Sequence, residues 1–118
     1  MLGSENIEDR YKGGAHMAKK ALEQLSETMF YVLMAFLHGE WCGSEAAAWI
    51  EDRTRGRIRM GPGTLYTILA QFEDAGVLAP TETQGRRRHY CITDKGRTLY
   101  ASELERLRQC IADAEGGM

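Results

Sequence analysis

The chain has 118 residues, 43% of them aliphatic, aromatic, Met or Cys, which supports one small domain and leaves no room for a second. A formal net charge of −2, three cysteines without C-x-x-C spacing and no apolar run long enough to cross a bilayer argue against a disulfide framework, a zinc knuckle and a membrane protein. With no signal-peptide pattern, a soluble cytoplasmic protein is expected, and its small core makes a dimer interface a reasonable source of further burial.

Residues 1–16 are polar and mixed in charge, and read as a flexible N-terminal extension or a remnant of an expression vector, with Met17 a candidate start. No function is assigned to His16. Met17 to Leu37 favours helix, and Ser26 with Glu27 either caps a fresh start or sits within a longer helix. Met29, Val32, Leu33, Phe36 and Leu37 recur as the apolar face of a first core helix. Phe30 and Tyr31 fall partly off that stripe, where they either meet a partner helix or cover the domain edge.

His38, Gly39 and Glu40 end this helix, and Ser44 caps a second that runs from Glu45 to about Thr54. Ala46, Ala47, Trp49 and Ile50 supply its packing surface. Trp41 and Trp49 have two readings, as core or hairpin-packing residues or as walls of an apolar pocket in which indoles stack on a planar ligand. Arg53, Arg55, Arg57 and Arg59 then alternate through a turn and short strand, with Ile58 and Met60 facing inward. Arg57 and Arg59 reach either phosphate or the carboxylates of Glu51 and Asp52.

Pro62 suits a first helical position and Gly76 a left-handed helix end, so the interval between them reads as one bounded helix. Leu65, Ile68, Leu69, Phe72 and Ala75 follow the i, i+3, i+4, i+7 pattern, leaving Thr64, Tyr66, Thr67, Ala70 and Gln71 on the opposite face. That face opens without charge, and the backbone N–H groups and dipole of a helix N-terminus attract phosphate. Val77–Thr83 and Arg86–Thr93 flank Gln84 and Gly85 as the arms of a hairpin whose tip is followed by Arg86, Arg87 and Arg88. A helix followed by a basic hairpin is the layout of a winged helix-turn-helix, with the helix directed to the DNA major groove.

Charge follows the same division. Between Arg53 and Arg97 there are nine Arg or Lys and four Asp or Glu, a local +5 that leaves −7 on the rest of the chain. Screening limits the reach of charge to about 8–10 Å, so the local patch outweighs the overall balance. The other reading of these arginines is a solvated face.

After the hairpin, Thr93 caps a helix from Asp94 to about Ala114. Tyr100, Leu104, Leu107, Ile111 and Ala114 recur at spacings of 4, 3, 4 and 3, a heptad seam, while Glu103, Glu105, Arg106 and Arg108 suit the solvated side. The seam either docks on its own domain or pairs with a second copy; pairing is preferred because little of the domain remains to be covered.

The string Gly63, Thr64, Leu65, Tyr66, with Gly76, the Arg86–Arg88 run, Tyr90, Thr93 and Gly96 in that order, resembles the PadR family of bacterial transcriptional regulators. The resemblance covers Leu25 to the C-terminus, and the short remainder after Thr93 is similar to the subfamily with a single C-terminal helix. It implies a mainly α fold with a small β-hairpin: a winged helix-turn-helix DNA-binding domain over residues 17–93 and a C-terminal dimerisation helix over 94–118. Together the residues and the resemblance place DNA contacts at Gly63, Thr64, Tyr66, Thr67, Arg86, Arg87, Arg88 and Tyr90. They place dimerisation at Tyr100, Leu104, Leu107 and Ile111. The expected partners are double-stranded DNA, bound as a palindromic operator by a repressor, and a second copy of the chain. A small aromatic effector is expected to enter a cleft near Phe30, Tyr31, Tyr100 and Leu104.

No metal or cofactor is expected: buried inert thiols are the default for Cys42, Cys91 and Cys110, and His38, Cys42 and His89 can meet only through the fold. Walker, H-E-x-x-H and nucleophile-elbow motifs are absent from the sequence, so an enzyme is not expected. The competing reading is a winged-helix module that binds a protein or small molecule and not DNA.

Overall fold

The structure is a computed structural model that describes residues 25–81, 85 and 87–116. The expected extension over 1–16, and Gln84 and Arg86 of the hairpin, lie outside the described residues. Among those residues there are four helices and a three-stranded antiparallel sheet, with helix α1 over Glu27–Leu37, α2 over Gly43–Arg53, α3 over Pro62–Asp74 and α4 over Asp94–Gly116. The strands are β1 at Trp41–Cys42, β2 at Leu78–Pro80 and β3 at His89–Ile92, in the order β1-β3-β2.

Ser26 is the N-cap of α1, its hydroxyl accepting the Met29 N–H at 3.1 Å, so the capping reading holds and the longer-helix reading fails for this turn. The buried face is shifted from expectation. Phe30 is in the core at 8% exposure, whereas Leu37, assigned to the core stripe, is 38% exposed. The shift follows from α4, which lies across α1 and covers the side that the local period alone leaves open.

The second helix starts earlier than Ser44 implies. Cys42 is the N-cap, and the Glu45 carboxylate reaches back to accept the Cys42 N–H at 2.9 Å. This reciprocal use of the third helical residue satisfies a backbone donor that the helix cannot. The strand expected near Ile58 is instead a turn and an extended segment: Arg55 has φ 53 and Gly56 φ 79, and Thr54 holds the loop by accepting the Ile58 N–H at 3.0 Å. Arg59 pairs with Glu51 at 3.5 Å as the sequence allowed, but Arg57 turns to Glu27 and the Tyr31 hydroxyl, each at 2.9 Å.

Helix α3 begins at Pro62 and gives way at Gly76, φ 80, and its Leu65, Ile68, Leu69 and Phe72 are all buried. They meet Val32, Leu33 and Phe36 of α1, Ala46 and Ile50 of α2, and Val77, Leu78, Tyr90 and Ile92 of the hairpin in one continuous core. The hairpin registers Leu78 on Ile92 and Pro80 on Tyr90. Strand β1 adds to its other edge with Trp41 opposite Tyr90 and Cys42 opposite His89. Trp41 serves as a packing residue there, its indole N–H donating to the Ala35 carbonyl at 2.7 Å.

Helix α4 enters through Thr93. Its hydroxyl donates to the Gly76 carbonyl at 2.7 Å and accepts the Gly96 N–H at 3.0 Å, so one side chain ties the end of α3 to the start of α4. Gly96 sits so close to the hairpin that a Cβ there would lie 2.3 Å from the Val77 carbonyl oxygen. Glu103 corrects a sequence assignment: expected on the solvated side, it is 3% exposed and accepts from the Leu25 N–H and from Arg106.

Candidate nucleic-acid interface

The burial of Leu65, Ile68, Leu69 and Phe72 determines what the other side of α3 presents. Gly63, Thr64, Tyr66 and Thr67 are all exposed, Tyr66 at 59%. A Cβ at Gly63 would meet nothing within 4 Å, so the first turn is open to close approach. Thr67 is partly committed, its hydroxyl donating to the Gly63 carbonyl at 2.9 Å. The Tyr66 ring leans over the start of α2, where a Cβ at Gly43 would be 3.2 Å from the ring.

The wing arginines fall beside this face. Arg87 and Arg88 are both exposed; Arg86 lies outside the described residues. Arg88 is held from two sides, by Glu73 of α3 at 2.9 Å and by the Tyr90 ring, 5.7 Å from the guanidinium to its centroid. It therefore braces the wing against α3. Arg87 has no ion-pair partner within 4 Å among the described residues.

Tyr90 is placed differently from expectation. At 8% exposure it faces the core, edge-on to Phe36 at 6.4 Å, and burial raises its phenol pKa. On β3 the residues alternate, so that placing Ile92 inside places Tyr90 inside as well. Its ring lies against the Arg88 guanidinium of the wing.

The assignments on α4 divide along the helix. Tyr100 stacks on Phe30 with centroids 4.9 Å apart, and Leu104 and Leu107 are half-buried against the same core, while Ile111 is 56% exposed. The seam thus docks on its own domain in its first half and stands clear of it in the second. Phe30 and Tyr31 line a cleft of about 390 Å³ with Leu107, Glu103 and Arg106. Tyr100 faces a second cleft, of about 480 Å³, with Tyr31, Met34 and Arg57. Neither of these two clefts among the described residues is lined by all four residues expected around one effector.

The sequence raised a possible meeting of His38, Cys42 and His89 as metal ligands but missed Glu45. His38 stacks on Trp49 at 4.9 Å and takes no part in it, but Cys42, Glu45 and His89 come together at the start of α2. Cys42 and His89 are cross-strand partners, and Glu45 arrives through the helix cap. The C-x-x-E spacing was visible, whereas the pairing of a two-residue strand was not.

A three-helix core with an antiparallel wing, an exposed helical first turn and arginines on the wing define a winged helix-turn-helix. The chain belongs to the transcriptional regulator PadR-like family, whose model matches residues 32–102. A relative from Streptomyces fradiae, an uncharacterized 37.1 kDa protein in transposon TN4556, is 37% identical over 91 residues. That match covers 77% of this chain and 25% of the relative, so the chain spans about a quarter of that protein. Among solved structures, a transcriptional regulator of Clostridium thermocellum is similar with TM-score 0.67 and 22% identity, over 76% of this chain and 90% of that one. Bacillus subtilis PadR in complex with operator DNA is similar with TM-score 0.59 and 18% identity, over 67% and 47% of the two chains. No described helix is long and apolar enough to cross a membrane.

Proposed function

We propose that this PadR-like regulator binds double-stranded DNA as a homodimer and represses transcription by occupying a palindromic operator. The observation that carries the reading is the exposed, uncharged first turn of α3 beside the exposed Arg87 of the wing. Gly63, Thr64 and Tyr66 enter the major groove, and Arg87 and Arg88 contact phosphate or the adjacent minor groove. The operator complex of the B. subtilis relative supports the assignment by fold. Residues 17–93 then act as the reading unit, and 94–118 as the arm that pairs two copies.

Pairing uses the outer half of α4. Ile111 offers apolar surface that its own domain leaves uncovered, and Leu107 bridges the docked and free halves. Two α3 helices can enter successive major grooves only when they stand about 34 Å apart, so a small change at the arms releases both contacts. An apolar effector seated in the cleft of about 390 Å³ beside Phe30 and Tyr31 would act on that spacing.

Selection from random duplexes followed by anisotropy titration at several salt concentrations tests the reading. A two-fold symmetric site with steep salt dependence is expected. Failure to bind any duplex at low salt would leave a protein- or small-molecule-binding module instead. Sedimentation of Ile111→Glu tests the arm separately, because Ile111 is exposed and its replacement spares the core; a wild-type protein that stays monomeric at high concentration rejects the dimer.

A further inference from the structure

We propose that Cys42, Glu45 and His89 form a binding site for a divalent transition metal of the zinc class, placed where the wing meets the start of α2. Three elements supply one donor each, and the Sγ, carboxylate oxygen and imidazole nitrogen all lie within 4.8 Å of one another, the one such group among the described residues. The Nε2 of His89 and Oε1 of Glu45 are 3.4 Å apart. Two nitrogen or oxygen ligands at about 2.0–2.1 Å from a tetrahedral zinc stand about 3.3–3.4 Å apart, so this pair already has the ligand spacing. Only the sulfur has to close in, and Cys42 is anchored opposite His89 in the β1–β3 pair.

The surroundings suit the donors. The Nδ1 of His89 lies 3.3 Å from the Arg87 carbonyl, which can only accept, so that contact takes the Nδ1–H and leaves Nε2 as the ring nitrogen that faces Glu45. The Ser44 hydroxyl, 3.3 Å from the Cys42 sulfur, can donate to a thiolate. On binding, Cys42 gives its proton to solvent, as does the Nε2 of His89 where it is protonated against Glu45, and one thiolate, one carboxylate and a neutral imidazole offset the charge of a divalent cation. Thiolate with imidazole favours zinc over the harder magnesium and calcium ions. Cys42 and Ser44 also line a notch of about 210 Å³ with Tyr66, Arg87 and Arg88, so the cysteine side of the site borders an open space. A bound ion would fasten His89 of the wing to α2 and so hold the wing against the helix-turn-helix.

Cobalt titration of the full chain tests the site. One Co²⁺ per chain is expected, with thiolate-to-cobalt absorption in the near ultraviolet, displaced by Zn²⁺, and with a rise in melting temperature. Cys42→Ser should abolish that absorption. His89→Gln, at a partly exposed position that folding tolerates better, should weaken affinity at least about tenfold, the lower range found even for outer-shell partners. The double variant Cys91→Ser/Cys110→Ser should retain the band. A wild-type protein without the band, one whose band survives Cys42→Ser, or one that loses it with Cys91 and Cys110 overturns the proposal and leaves Glu45 and His89 as an ion pair alone.

Discussion

The rings of Phe30 and Tyr100 lie face to face, 4.9 Å between centroids and 7° from parallel, and this stack joins α1 to α4. Its consequence is that the base of α4 is fastened to α1. Tyr100→Ala should cost about 2–4 kcal/mol, from lost burial and a lost aromatic pair, as measured by urea unfolding. Tyr100→Phe should keep most of it. Burial raises the Tyr100 pKa, so the neutral phenol is favoured in the folded state and its contribution is complete below the unfolded value of 10.0. Stability should fall as pH rises above that value, and Tyr100→Phe should lessen the fall.

Glu45 gives the opposite limb. The Cys42 N–H it accepts lowers its pKa, so its contribution is present above the unfolded value of 4.5 and is lost as pH falls through the folded one. Glu45→Gln should flatten that acid limb in a pH series of melting temperatures.

Gly96 tolerates no side chain, because a Cβ would press to 2.3 Å on the Val77 oxygen and 2.7 Å on Ile92 Cγ1. Neither neighbour is a flexible chain end. Gly96→Ala should destabilise by about 1–3 kcal/mol despite the higher helix propensity of Ala, with the deficit read from the denaturation midpoint. Thr93→Val should lose the tie to Gly76 and the cap at Gly96 at a cost of about 1–2 kcal/mol.

Glu103 and Arg106 are paired at 3.0 Å, with Glu103 3% exposed. Arg106→Ala leaves that carboxylate poorly compensated and should cost about 1–3 kcal/mol. Changing both residues to Leu and Met should recover part of the loss, which a double-mutant cycle would show.

Arg87 and Arg88 should separate in DNA binding. Arg87→Ala should lower the salt slope by about 0.9 per lost phosphate contact and weaken all sequences alike. Arg88→Ala should also loosen the wing, because it removes the Glu73 pair and the contact with Tyr90. Thr64→Ala should instead shift preference at particular base pairs by about 1–3 kcal/mol, as read by competition between operator variants.

Much of this molecule is written in local pattern. Pro62 and Gly76 bound α3 because their backbone preferences are their own, and the 3.6-residue period of Leu65 to Phe72 determines which face is buried and hence that Thr64 and Tyr66 are left outside. What required the tertiary structure depends on neighbours distant in sequence. The two-residue β1 carries no period, so its pairing with β3, and the meeting of Cys42 with His89, exist only once the wing folds back. Tyr90 appeared exposed beside three arginines, yet strand alternation and Phe36 draw it inward. Glu103 read as surface until α4 crossed α1, and the seam on α4 read as one continuous interface until Phe30 took its first half. Periodicity reports that a face is apolar; which surface covers it is decided by packing, since burial is non-directional and takes whichever apolar partner the chain brings near.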